Sequence, residues 1–260
     1  MRDAATSPDG IPIVYDIDGS GDPTVFFVHG WSCDRSYWIH QMRSFAPRHR
    51  VVSLDLAGHG ESGTGRESWT IAAFGGDVAA VARRIGADDV VLVGHSMGGD
   101  VIVDAALQLG GRVRGLVWID VYSDLTLDEA DPREQDDPFV DSLRGDFRGE
   151  VDRFVRGMFP PDADPALVDQ VAGDMASAPP EIAIDAARHS LRNLGPALAG
   201  LRELRLPVVS ISPAGSDVDE ESMLRAGIRP VSMEGVGHFP MLEAPERFSD
   251  LLAEVIASFG

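Results

Sequence analysis

The sequence contains no lysine and only one cysteine. All 22 basic residues are arginine, which excludes mechanisms that use lysine as a Schiff-base amine or as a general base. The single cysteine, Cys33, rules out an internal disulfide framework and offers no cysteine cluster for a metal. We therefore expect neither a bound metal nor another cofactor.

Long apolar runs and positive charge are also scarce. No run approaches the ~18 apolar residues of a membrane span, so we expect no membrane partner. The opening MRDAATSPDG lacks the apolar stretch of a secretory signal, and these features together predict a cytoplasmic protein. The formal net charge is −20, and nucleic-acid affinity depends on basic groups that neutralise phosphates. We therefore expect no nucleic-acid partner.

Apolar runs of strand length alternate with helical patterns along most of the chain. The strand-like runs lie at 11–19, 24–30, 51–56, 88–94, 113–120, 206–212 and 228–235, and helical spacing occurs at 70–86, 98–110 and 244–260. This alternation is typical of a mostly parallel sheet with helices on both faces. The sequence therefore predicts an α/β fold with a doubly wound sheet of about eight strands, and sites at the carboxyl ends of those strands.

The alternation is interrupted between about residues 122 and 200. This stretch is rich in Asp, Pro and Met, and it contains helical patterns such as EVDRFVRGMF but no convincing strand. We interpret residues 122–200 as a small helical cap inserted before the last two strands. The core would then consist of residues 1–121 and 201–260.

A serine lies between glycines where the run VVLVG passes into the next helical pattern. Gly94, Ser96 and Gly98 fit the pattern G-x-S-x-G, followed by Gly99. A sharp turn from strand to helix raises the serine Oγ above the sheet, and flanking glycines let neighbouring backbone pass without Cβ clashes. The helix N-terminus directs free N–H groups to the same place. These features predict Ser96 as a nucleophile.

The chain resembles the α/β-hydrolase superfamily over essentially its whole length. VFFVHGW resembles the family's oxyanion segment, and DLAGHGES resembles its D-x-x-G-x-G-x-S loop. The insert resembles the family's cap, and GVGHFPMLEAPERF resembles its terminal histidine loop and helix. Within the superfamily it is most similar to capped serine esterases, enol-lactonases and cofactor-free haloperoxidase-like hydrolases. The resemblance implies that His238 is the general base that takes the Ser96 proton.

Two backbone donors would stabilise the charge on a tetrahedral intermediate. The N–H of Met97 directly follows the nucleophile, and the resemblance places the second donor at Trp31. Cys33 lies close by in the sequence and is interpreted as a buried spectator.

The substrate pocket is expected to combine core and insert residues. His95 neighbours the nucleophile and Phe239 follows the histidine, whereas Met158 and Phe159 belong to the insert. Other apolar insert residues would serve the pocket or the packing of the cap itself: Phe139, Phe147, Phe154 and Met175.

The acid of the triad is the position at which the sequence departs from the family pattern. The family usually places it in the loop after the strand LPVVSIS, where Asp217 and Asp219 are present but out of the usual register. Other members take the acid from the end of the preceding strand, which is Asp120 here. Asp217 is the first choice, Asp120 the alternative and Asp219 the third. Asp100 and Asp104, on the helix after Ser96, are interpreted as solvated or capping charges.

These features predict a serine hydrolase that cleaves a small carboxylic ester or lactone through an acyl-enzyme on Ser96. Two alternatives stay open. One is a small-molecule receptor or signalling protein of the same fold with little turnover, and the other is perhydrolase activity, with hydrogen peroxide as acyl acceptor. A homodimer is also left open.

Overall fold

The central sheet has eight strands in the part of the chain that the computed structural model describes, residues 1–122, 125 and 138–260. The strands are β1 (Arg2–Thr6), β2 (Pro12–Asp18), β3 (Thr24–Val28), β4 (Val51–Leu54), β5 (Val90–His95), β6 (Val113–Ile119), β7 (Val208–Pro213) and β8 (Ile228–Met233). Their order is β1-β2-β4-β3-β5-β6-β7-β8. The pairs β1–β2 and β2–β4 are antiparallel and the other five pairs are parallel, which confirms the predicted, mostly parallel sheet.

Helices cover both faces of this sheet. Within the described residues they are α1 (Ile39–Phe45), α2 (Ile71–Arg84), α3 (Met97–Leu109), α4 (Pro138–Leu143), α5 (Phe147–Arg156), α6 (Pro165–Met175), α7 (Pro180–Ser190), α8 (Leu194–Leu204), α9 (Glu220–Arg225), α10 (Pro240–Glu243) and α11 (Pro245–Ala257). Every residue of β3, β4 and β5 is buried, as expected for parallel strands covered on both faces. None of the described helices is long and apolar enough to cross a membrane.

The strand register brings three loops to one edge of the sheet. Gly94 of β5 is paired with Val28 of β3, and His95 is paired with Ile119 of β6. Because parallel strands end at the same edge, the residues that follow β3, β5 and β6 meet there. These are the segments that begin at His29, Ser96 and Asp120.

A helical insert lies between β6 and β7, as predicted. Its helices α4 to α7 pack on the core, and the hydrogen bonds between the two parts include Trp31 Nε1 to Ala183 O at 2.7 Å, Trp69 N to Asp185 Oδ2 at 2.9 Å, and His238 N to Met158 O at 3.0 Å. Part of the predicted cap, residues 123–124 and 126–137, lies outside the described residues. The division into domains remains a prediction, and its boundary at residue 200 falls within α8.

Candidate active site

Ser96 occupies a strained turn between β5 and α3. Its backbone has φ 52° and ψ −124°, a positive-φ conformation that non-glycine residues rarely adopt. Close backbone packing explains the glycines on either side. A Cβ on Gly94 would lie 2.3 Å from the Gly98 carbonyl oxygen, and one on Gly98 would lie 2.6 Å from the Val28 carbonyl oxygen. The strain is held in place by two backbone bonds, from Ser96 N to Ile119 O at 3.0 Å and from Gly99 N to Ser96 O at 2.8 Å.

Met97 and Trp31 lie beside this turn. Met97 is the first residue of α3, so its N–H has no acceptor within the helix. Trp31 follows β3, and both residues line the same cavity as Ser96 and His238. Met97 and Trp31, whose N–H groups are the donors predicted from the sequence, thus border the cavity that contains Ser96.

The segment that carries Trp31 is braced by the loop after β4. The Nδ1–H of His29 donates to Gly30 O at 2.8 Å, and its Nε2 accepts the Leu56 N–H at 3.0 Å. Asp55 accepts hydrogen bonds from the backbone N–H groups of Arg35 and Glu61, both at 2.8 Å. Burial lowers the pKa of His29 to about 4, so the imidazole is neutral and keeps its acceptor at neutral pH.

His238 lies in the loop between β8 and α10 and reaches back to the end of β6. Its Nδ1 lies 2.6 Å from Asp120 Oδ2, with the two side chains 16% and 23% exposed. A carboxylate accepts only, so Nδ1 carries the proton, and at neutral charge Nε2 is free of it. Since Ser96 and His238 line one cavity, the site contains a serine hydroxyl, an imidazole and a carboxylate.

Backbone hydrogen bonds hold the His238 loop in place. Glu243 accepts from the N–H groups on either side of the histidine, from Gly237 at 2.8 Å and from Phe239 at 2.9 Å. The His238 N–H donates to Met158 O of the insert, and a Cβ on Gly237 would lie only 2.4 Å from that oxygen. Burial raises the pKa of Glu243. The sequence analysis missed Glu243, although it stands in the motif GHFPMLE at the start of the last helical segment.

His95 supports the same loop from the strand side. Its Nε2 lies 2.8 Å from the His238 carbonyl oxygen, so this nitrogen carries the proton. The two rings are 4.6 Å apart. Burial holds the pKa of His95 well below its usual range, so the ring stays neutral. One side chain therefore connects the residue before Ser96 to the backbone of His238.

The carboxylate that contacts His238 is not Asp217, the first choice made from the sequence. Asp217 lies exposed in the loop after β7, and the carboxylate that meets His238 is Asp120. Asp219 caps α9, where it accepts the Ser222 N–H at 3.1 Å. The sheet order gives the physical reason: β6 is adjacent to β5, whereas β7 is one strand further away. Asp120 also has φ 49°, a left-handed conformation at the residue that directly follows β6.

A cavity of about 180 Å³ contains these residues. Trp31, Val121 and Phe239 line its core side, whereas α5 to α7 and the residues around them supply Phe154, Met158, Met175, Ala187, Ser190 and Leu191. Phe139 also lines the cavity, packing edge-on against Trp31 with 5.8 Å between the ring centroids. The lining is largely apolar. A larger cleft of about 570 Å³ lies beside Arg35 and Glu61, but half of its lining residues are charged and it contains neither Ser96 nor His238.

Three of the four pocket residues proposed from the sequence line this cavity, namely His95, Met158 and Phe239. Phe159 does not. It stacks on Phe239 with 5.2 Å between the ring centroids and so supports the wall from behind. Cys33 is 4% exposed yet borders the cavity, and burial raises the pKa of its thiol well above the usual range. The sequence did not single out Val121, Ala187, Ser190 or Leu191, which are ordinary helix or strand-end residues.

The fold and the site define an α/β protein of the hydrolase type. The sequence profile of the alpha/beta hydrolase family matches residues 25–251, and the chain belongs to this family. The resemblance on which the sequence analysis relied is therefore confirmed.

Individual relatives agree with this assignment. The chain is 40% identical over 96 residues to the bifunctional esterase/perhydrolase DCH of Acinetobacter calcoaceticus, covering 36% of this chain and 35% of that protein. It is 37% identical over 116 residues to a non-heme haloperoxidase of Rhodococcus erythropolis, covering 44% and 42%. Each of these two matches thus spans less than half of the relative's length. A thermophilic esterase from Thermogutta terrifontis superposes with a TM-score of 0.83 at 25% identity, covering 100% of this chain and 99% of that one.

Proposed function

We propose that this protein is a serine hydrolase that cleaves small carboxylic esters or lactones through an acyl-enzyme on Ser96. The observation that carries the proposal is the 2.6 Å contact between His238 Nδ1 and Asp120, in the cavity that Ser96 enters from its strained turn. The likeness to the Thermogutta terrifontis esterase over the whole chain supports it.

Acylation starts when a substrate carbonyl carbon reaches the Ser96 Oγ. His238 Nε2 takes the hydroxyl proton as the Oγ–carbon bond forms, and Asp120 stabilises the resulting imidazolium. The N–H groups of Met97 and Trp31 hold the negative oxygen of the tetrahedral intermediate, each contributing about 3 kcal/mol of transition-state stabilisation. The intermediate collapses as His238 returns its proton to the leaving alkoxide, which departs as an alcohol.

Deacylation repeats these steps with water. His238 Nε2 removes a proton from the water, whose oxygen attacks the acyl carbon, and the proton then passes to Ser96 Oγ as the carboxylic acid leaves. In a lactone the leaving alcohol and the acid belong to one molecule, which departs as a hydroxy acid.

The cavity indicates which acyl groups fit. Its volume of about 180 Å³ and its lining by Phe139, Phe154, Met158 and Met175 favour a short apolar acyl chain. Methionine side chains adapt to irregular shapes, so we propose a tolerance for branched or aromatic groups of similar size.

Steady-state turnover of p-nitrophenyl acetate, butyrate and octanoate and of γ-butyrolactone tests the proposal. We expect the wild type to prefer the short esters, and Ser96→Ala to lose at least ~10³-fold in kcat. A wild type that releases one equivalent of p-nitrophenol and then stops would instead indicate the receptor alternative. Equal rates for the wild type and Ser96→Ala would exclude the proposed mechanism.

Perhydrolysis is a second activity of the same acyl-enzyme, with hydrogen peroxide replacing water and a peracid as product. The relative described as a bifunctional esterase/perhydrolase favours testing it here. Peracid formation from acetate ester and peroxide, measured in the wild type and in Ser96→Ala, would decide the matter. No peracid above the Ser96→Ala background would exclude this activity.

A further inference from the structure

Asp100 is a buried carboxylate on which three elements of the structure meet. It lies one turn after Ser96 on α3 and is only 2% exposed, so its interpretation as a solvated or capping charge was wrong. Its oxygens accept hydrogen bonds from the Tyr122 hydroxyl, from Asn193 Nδ2 at 3.0 Å and from Ser190 Oγ at 3.3 Å. Burial raises the pKa of Asp100 to about 6, because the ionised carboxylate is less well solvated here than in water.

One of these bonds leads to the acid of the site. The segment that carries Asp120 is docked on α3 at three points. Trp118 Nε1 donates to Gly99 O at 3.1 Å, and the Tyr122 hydroxyl donates to Asp100. Between them, Val121 packs directly against Gly99, since a Cβ on Gly99 would lie only 2.3 Å from Val121 Cγ2. These contacts lie on both sides of Asp120, which is held at φ 49°. Because α3 begins directly after Ser96, they fix the acid relative to the nucleophile.

The other two bonds lead to the insert. Ser190 is the last residue of α7, and Asn193 immediately precedes α8. Ser190 and the adjacent Leu191 line the cavity that contains Ser96. The Asp100 carboxylate, which accepts a hydrogen bond from Tyr122, therefore also holds the insert residues that line the cavity against α3. These residues, Ser190 and Leu191, are called the insert wall.

We propose that Asp100 is a positioning residue that sets both Asp120 and the insert wall of the acyl pocket in register with Ser96. This inference rests on the proposed ester hydrolysis for its kinetic readout. An aspartate suits the role because an ionised carboxylate accepts several hydrogen bonds and donates none. The amide oxygen of asparagine is uncharged and is therefore a weaker acceptor for Tyr122 and Asn193, and its amide nitrogen cannot accept a hydrogen bond from Ser190 Oγ.

The two connections are separable by substitution. Tyr122→Phe removes the hydroxyl that connects Asp100 to the segment of Asp120, and Asn193→Ala removes the amide that connects it to the insert. We expect Tyr122→Phe to lower kcat about 10-fold on both p-nitrophenyl acetate and butyrate with KM within about twofold, because misplacement of a reacting group slows chemistry. Asn193→Ala should raise KM for the butyrate about fivefold and leave kcat within about twofold.

Asp100→Asn should combine both effects. Asp104→Asn is the matched control, since it neutralises a carboxylate one turn further along α3 that is outside this set of bonds, and we expect it to stay within about twofold of wild type. The inference is overturned if Asp100→Asn behaves like Asp104→Asn. It is also overturned if Tyr122→Phe and Asn193→Ala change the same kinetic constant in the same direction.

A second readout does not depend on turnover. The downfield proton NMR signal of the hydrogen bond between His238 Nδ1 and Asp120 should shift in Tyr122→Phe and in Asp100→Asn but not in Asn193→Ala. An unchanged signal in all three variants would overturn the inference even in an inactive protein. An inactive wild type in which the signal shifts as expected would contradict the proposed function alone.

Discussion

Replacing Asp120 by asparagine tests the contribution of the carboxylate that contacts His238 and that we propose as the acid of the triad. Asp120 Oδ2 lies 2.6 Å from His238 Nδ1 in a site where neither side chain is more than a quarter exposed. The substitution keeps the shape but removes the charge that stabilises the imidazolium and selects the tautomer. In a serine triad this change lowers kcat about 10⁴-fold, which corresponds to about 5 kcal/mol of transition-state stabilisation.

The fold should survive this change. Asparagine is one of the few residues that tolerate a positive φ, and Asp120 is held at φ 49°. The matched control is Asp217→Asn, because Asp217 is exposed in the loop after β7. We expect its kcat to stay within about twofold of wild type, as for most surface substitutions.

Steady-state hydrolysis of p-nitrophenyl butyrate, together with urea unfolding of each variant, provides the assay. The expected result is a collapse of kcat in Asp120→Asn alone, with unfolding midpoints close to wild type in both variants. Equal mild losses in the two variants, or a collapse confined to Asp217→Asn, would refute the assignment of the acid.

Three further predictions concern side chains around the site. Glu243→Gln keeps only one of the two oxygens that accept from the N–H groups on either side of His238, so kcat should fall about 10-fold. An unchanged kcat would count against a role for this carboxylate. Burial raises the pKa of Cys33, so iodoacetamide at pH 8 should modify it in urea but not in the native protein, as intact mass would show. Burial raises the pKa of Asp100 from 3.8 to about 6, so the folded state holds its proton more tightly and this residue's contribution to stability falls as pH rises through that window. The unfolding free energy of Asp100→Asn relative to wild type should therefore increase by up to about 3 kcal/mol between pH 4 and pH 7.5, and a flat difference in urea unfolding would contradict this.

The repeating pattern of the sequence was sufficient to predict most of the fold. Continuous apolar runs such as VVLVG identify strands covered on both faces, and the sheet contains them in the predicted role. The strand β1 was not predicted, because its sequence RDAAT buries a single residue, Ala5, and shows no apolar alternation. It is held instead by antiparallel pairing with β2 at the edge of the sheet.

The site could be predicted only where a local motif carries the geometry. The spacing of glycines around Ser96 marks a sharp turn, and the structure shows that turn. The partner of His238 depends on which strand ends closest to it and on the backbone twist at Asp120. Neither property can be read from three candidate aspartates in a sequence. Asp100 was misread for the same reason, since its burial is produced by Tyr122 and by residues 90 or more positions away.

Labelling with a fluorophosphonate tests the central claim most directly, because the reagent reacts much faster with an activated serine than with ordinary hydroxyl groups. The folded wild type should gain one adduct, located on Ser96 by peptide mass spectrometry. The labelling rate of His238→Ala should be at least about 100-fold lower than that of the wild type. A folded wild type that stays unlabelled, or that carries its adduct on another residue, would contradict the proposal that Ser96 is an activated nucleophile.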